Sequence, residues 1–175
     1  MAKKDTGANR SQAVSKAGVK RPEARFSARE LSELKKKVEN YIDSFMVKVG
    51  IKDPADQTDE NGWRFFKVGS AIGKAGTIEV EDQVLFRVEA HLMSLPSDKD
   101  MILPLLRELL EINNYMLGEC RFSISEEQIF AVVTYPAHVM EEDDIYRCIH
   151  NVMRTADNLD DALLKKYGGT SKKRG

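Results

Sequence analysis

The segment Gly69-Ser70-Ala71-Ile72-Gly73-Lys74-Ala75 groups two glycines, a serine and a lysine, the residue types that cradle a phosphate. A phosphate-binding loop needs four residues between its glycines, a hydroxyl side chain after the lysine, and a helix whose N-terminus faces the anion. Here the spacer is three residues, Ala75 replaces the hydroxyl, and a strand-like segment follows, so the stretch reads as a hairpin turn. Asp53, Asp56, Asp59 and Glu60 carry the charge of a calcium loop, but Ala55 and Gln57 break its alternation of ligands, which leaves a solvated acidic loop. His91, His138 and His150, with Cys120 and Cys148, show no i, i+4 histidine pair and no Cys-x-x-Cys spacing. No metal site is expected from them. Ser123, Ser125 and Ser171 lie in no nucleophile elbow, and no two carboxylates form a recognisable acid–base pair. The expectation is a protein without cofactor and without enzymatic activity.

The chain has 175 residues, 42% apolar and 31% charged, enough for one cored domain. Its longest uncharged apolar run is far below a membrane span, and no signal-peptide core follows the first methionine. A soluble, cytoplasmic protein is expected. The net charge of −1 conceals a division: residues 1–25 carry +5, residues 168–175 carry +3, and residues 26–167 carry −9. Both ends lack large apolar residues and read as disordered basic tails. Such tails attract phosphates or acidic surfaces through a salt-dependent term, but they lack aromatic residues for base stacking and give only an alternative reading, a nucleic-acid-associated regulator.

The elements between the tails follow from periodicity. Ser27-Ala28-Arg29-Glu30 is a capping box; Leu31, Leu34, Val38, Tyr41, Ile42, Phe45 and Val49 then recur at helical spacing until Gly50. Three strand-like segments come next: Trp63 to Ala71, Thr77 to Glu81 and Val84 to Leu92, with Gly73 to Gly76 read as the first turn. A second helix, begun near Ser97, must accommodate Pro104 close to its start and ends at Gly118. Its apolar arc is about 200° wide, where packing on one surface needs only ~100°, so two covered sides are expected. Asn113 points into that arc and needs hydrogen-bond partners, in the following loop or a neighbouring strand. Cys120 to Ile124 and Gln128 to Tyr135 form a hairpin turned at Ser125-Glu126-Glu127, and a helix from about Glu141 to Tyr167 closes the domain. Cys120 and Cys148 fall on core-facing positions. The order helix, three strands, helix, two strands, helix gives an α+β fold, a five-stranded antiparallel sheet with three helices.

Leu105-Leu106-Arg107-Glu108-Leu109-Leu110-Glu111-Ile112-Asn113-Asn114, then Gly118, Cys120-Arg121-Phe122-Ser123-Ile124 and Glu126 to Val133, resemble the YbjN-like family and the related type III secretion chaperones. The similarity runs over about residues 26–167. It implies the same α+β fold and a small acidic homodimer that binds other proteins, either as a chaperone of client segments or as a regulator. Leu103, Leu106 and Leu110 of the second helix are then the expected dimer contacts. A client segment is expected on the exposed sheet face or at an edge strand, near Leu85, Arg87, His91, Phe130 and Val132.

Overall fold

The computed structural model describes residues 26–115 and 118–170. Helix α1 spans Ala28–Lys48 and opens on the expected capping box, in which Ser27 and Glu30 satisfy each other's backbone amides. A 3₁₀ turn, Pro54–Gln57, leads to the strands β1 (Arg64–Val68), β2 (Ala71–Val80) and β3 (Gln83–Ser94). Helix α2 (Lys99–Tyr115) carries the chain to β4 (Arg121–Ser125) and β5 (Gln128–Pro136), and α3 (Glu142–Tyr167) ends it. All neighbours in the sheet are antiparallel, in the order β1-β2-β3-β5-β4. The α+β architecture expected from the sequence is therefore the observed one.

Alternation divides the sheet cleanly. Val84, Phe86, Val88, Ala90 and Leu92 of β3 are buried, while Leu85, Arg87, Glu89 and His91 between them are partly exposed. The buried side is covered by α3, through Ile145, Cys148, Ile149, Val152, Met153, Ala156 and Leu163, and by Val38, Ile42, Phe45 and Met46 of α1. Each of these larger side chains contributes about 1.5–3 kcal/mol by leaving water. Arg64 is 8% exposed yet satisfied: its guanidinium donates to both Asp43 oxygens at 2.8 and 3.3 Å and to the Gly62 carbonyl at 2.8 Å. That pairing ties β1 to α1.

The first turn differs from expectation. Gly69 and Ser70 make it, with Gly69 at φ 62, and β2 then runs straight through Gly73 and Gly76. Ser70 is fastened to α3, its amide and hydroxyl both donating to Asp157, at 2.8 and 2.6 Å. Gly73 and Gly76 serve space rather than turning: a Cβ on Gly73 would lie 2.4 Å from Met153 Sδ, and one on Gly76 3.1 Å from the Trp63 ring. Glycine in a strand marks a close approach as readily as a bend. Pro104 also sits deeper in α2 than expected, at its sixth residue, on the exposed side where a lost backbone bond faces water.

Beyond α3 the chain remains tied to the sheet, Thr170 accepting a hydrogen bond from the Ser94 amide at 2.9 Å. The basic tail 1–25 and residues 171–175 lie outside the described residues, as do positions 116 and 117. Gly73→Ala is expected to destabilise the domain by about 1–3 kcal/mol by overpacking. Adding Met153→Ala should recover part of that loss in the double variant, read by urea unfolding of all four proteins. Strict additivity would show that Met153 does not fill the notch.

Candidate functional site

Two surfaces stand out among the described residues, the sheet face that no helix of theirs covers and the outer side of α2. On the sheet, the register sets Phe65 beside Lys74, Ile72 beside Lys67, Glu89 beside both Lys74 and Val132, and His91 beside Phe130. All five residues expected to meet a client, Leu85, Arg87, His91, Phe130 and Val132, lie on this one face. Phe65, Ile72, Gly73, Lys74, Glu89, His91 and Phe130 line a shallow depression of about 190 Å³ there, room for one large side chain.

Its polar groups are already arranged. Glu89 is held between Lys74 Nζ at 3.1 Å and Arg87 Nε at 2.9 Å, and Lys74 also rests 4.6 Å from the centre of the Trp63 ring. His91 Nε2 lies 2.6 Å from Gln128 Oε1, and its ring meets Phe130 edge-on at 5.7 Å. Trp63, Phe65, Ile72 and Lys74 were not singled out from sequence as contact residues, because their segment read as one strand and a turn. Alternation about an unbroken β2 would have found the last two.

The two sheet edges are unequal. At β4, the Asn113 side chain receives the Phe122 amide at 2.7 Å and donates to the Phe122 carbonyl at 3.3 Å. Asn113 thereby fills the neighbouring-strand alternative set out above, acting as a single residue of a sixth strand. At β1, Thr58 bridges Arg64 at the start of the strand, and the Asp59 amide donates to the Trp63 carbonyl at 3.0 Å. The remainder of β1 borders the depression through Phe65.

Helix α2 is attached lightly. Leu105 and Leu109 are its buried residues, and Glu108 receives hydrogen bonds from Lys166 at 2.7 Å and from the Tyr167 hydroxyl. Those bonds, Lys166 first, hold the Glu108 carboxyl below its ordinary 4.5. On the opposite side Leu103 is 76% and Leu110 67% exposed, with Leu106 between them partly exposed. The wide apolar arc thus has one side on the domain and one side bare.

The other candidates do not line the depression. Cys120 and Cys148 are buried, and burial raises both thiols, Cys148 to about 11, which disfavours the reactive thiolate. His138 stacks near Phe26 and His150 is exposed on α3. Among the described residues no cluster of His, Cys, Asp or Glu could hold a metal ion, and no helix is long and apolar enough to cross a membrane.

Residues 36–174 match the family described as type III secretion (YopN, CesT) and YbjN peptide-binding chaperone 1. The chain belongs to this family. No curated protein shows a matching sequence. Among solved structures, the ExsC–ExsE complex superposes with a TM-score of 0.57 at 14% identity, over 74% of this chain and 96% of that one. The HopA1–SchA chaperone–effector complex gives 0.52 at 12% identity, over 74% and 96%. The Yersinia pestis type III secretion chaperone SycH, in complex with a fragment of YscM2, gives 0.50 at 11%, over 70% and 98%. At these identities the likeness establishes the shared fold.

Asn113→Leu keeps the side chain's size but leaves the amide and carbonyl of Phe122 without Asn113. A loss of about 1–3 kcal/mol is expected in urea unfolding; a loss under about 0.5 kcal/mol would show that water serves that edge equally well. Glu108 makes a second expectation. Because its folded-state pKa is depressed, its contribution is full above 4.5 and is lost as pH falls through the lower folded value. Glu108→Gln should therefore be less stable than the parent at pH 7, and the gap should shrink below pH 4.5. A gap unchanged down to pH 3 would contradict the latch.

Proposed function

We propose that this protein is a non-enzymatic chaperone that works as a homodimer and binds an extended segment of a protein client on its open sheet face. The observation that carries the reading is the gathering of Leu85, Arg87, His91, Phe130 and Val132 on the one sheet face that no helix covers among the described residues, where His91 and Phe130 line a depression sized for a side chain. Two further facts support it. The family is one of peptide-binding chaperones, and three of its structural likenesses were solved in complex with a protein partner.

The physical logic is that of a surface kept ready for an extended chain. Half-buried apolar side chains in rows 4.7–4.9 Å apart offer contact to alternate residues of a strand, and a partly open edge offers main-chain hydrogen bonds. With Asn113 already bonded to Phe122 in the middle of the β4 edge, β1 is the edge at which a client strand would add, next to the depression. Leu103, Leu106 and Leu110 supply the self-complementary patch of a twofold dimer, exposed apolar side chains that a lone domain would leave in water.

Client capture is tested by placing a photo-crosslinking amino acid at Phe130 and, as a control, at Lys36 on the outer side of α1. A protein adduct that forms from position 130 and not from position 36 is the expected result; adducts from position 36 alone would move the site off the sheet. For the dimer, Leu103→Glu with Leu110→Glu should convert the sedimentation velocity profile from dimer to monomer. Both side chains are mostly exposed, so folding stability should change by less than about 0.5 kcal/mol. A dimer that survives both substitutions would place the interface elsewhere.

A further inference from the structure

The open sheet face has the opposite charge to the domain that bears it. Residues 26–167 sum to −9, yet within the strands this face holds Lys67, Lys74, Arg87 and Arg121 against one carboxylate, Glu89. That carboxylate is spent internally: its side chain is 12% exposed and paired with both Lys74 and Arg87. The acidic strand residue Glu79 points to the other side, where it pairs with Lys35 of α1 at 2.9 Å. Lys67 is exposed and has no ion pair among the described residues. Between the cations run the apolar positions Phe65, Ile72, Ile78, Leu85, Phe130 and Val132.

We propose that the segment taken by this face is acidic as well as apolar, with Asp or Glu two positions from a large aliphatic or aromatic residue. The inference rests on the open-face reading above and adds the chemistry of the partner. In an extended chain, residues i and i+2 lie on one side about 7 Å apart. With one apolar side chain seated in the depression, its neighbour on that side falls within reach of Lys67, the register partner of Ile72, or of Arg87, two residues along β3 from Glu89. Complementary charge selects partners and speeds their encounter more than it adds affinity. The same argument excludes two other occupants. The protein's own end segments, +5 over 1–25 and +3 over 168–175, have the wrong sign, and a second copy of this face would be repelled. Nucleic acid shares the required charge but makes no use of the aliphatic rows.

Three labelled 12-residue peptides test this by fluorescence anisotropy with the full-length protein. In each, Leu alternates along one side with a varied residue, which is Glu, Ser or Lys. A labelled 12-nucleotide oligothymidine is the fourth probe. At 50 mM NaCl the Glu peptide should bind at least tenfold more tightly than the Ser peptide, and the Lys peptide most weakly. At 300 mM NaCl that preference should narrow, as screening shortens the range of exposed charges. Lys67→Glu should weaken the Glu peptide about three- to tenfold and leave the Ser peptide unchanged, with Lys67→Gln intermediate and melting temperatures equal. Equal binding of all three peptides, or a preference for Lys, overturns the charge selection while the open-face reading stands. An unchanged Glu-peptide affinity in both Lys67 variants and in Arg87→Gln assigns the attraction to the basic end segments and overturns the proposal. Oligothymidine binding as tight as the Glu peptide overturns it in favour of nucleic acid. Failure of every peptide to bind overturns both this inference and the open-face reading.

Discussion

The contact on which the domain depends is the seating of α3 along β3 and β5. A five-stranded sheet has two faces, and α1 and α3 are placed on one of them, with α2 off to the β4 side. The notch that Gly73 leaves for Met153 and the clasp of Ser70 by Asp157 and Asp160 fix how α3 lies across the β1–β2 hairpin. Once that helix is in place its apolar stripe is used up, and among the described residues no element covers the second face. The bare face is thus a direct consequence of the topology, and the side chains on it must serve water and partner at once.

They do so by being amphipathic. The charged ends of Lys74 and Arg87 meet Glu89, and that of Lys74 also lies over the Trp63 ring. Trp63 folds over the surface that Gly76 leaves bare. A triad of this kind, partly exposed, adds little to stability. What it does is keep a face with several large apolar residues from behaving as a sticky patch. The edges follow the same economy. Asn113 supplies both hydrogen-bonding partners that another strand would offer Phe122, so β4 is blunted without the cost of ordering further chain.

Much of this was legible in the sequence, because strands with one wet face print their alternation directly. Val84 to Leu92 announced which residues point where, and with them Leu85, Arg87 and His91. The excess width of the apolar arc on α2 announced a helix with more apolar surface than its own domain uses, and Asn113 within that arc announced a buried hydrogen-bonding duty. The glycines of β2 were the point of failure. Gly73 and Gly76 lack a side chain for two possible reasons, a bend or a neighbour that needs the room, and local sequence does not separate them. Met153 and Trp63, the neighbours in question, lie 80 and 13 positions away. With the turn misplaced by a few residues, Ile72 and Lys74 dropped out of the predicted face, although both line its depression.

The light attachment of α2 bears on how the proposed dimer and client faces would relate. Two buried leucines, the partly buried Ile112, the Glu108 bonds to Lys166 and Tyr167 and the Asn113 bonds join α2 to the domain, less than the apolar stripe by which α3 is held. Asn113 is at once the C-terminal anchor of α2 and the guard of the β4 edge, so a displacement of α2 opens that edge. Conversely, a dimer formed through Leu103, Leu106 and Leu110 would hold α2 from its other side and keep β4 closed. Under the proposed function, strand addition would then be confined to β1, beside the basic and apolar face, and each protomer would offer one site of one chemistry.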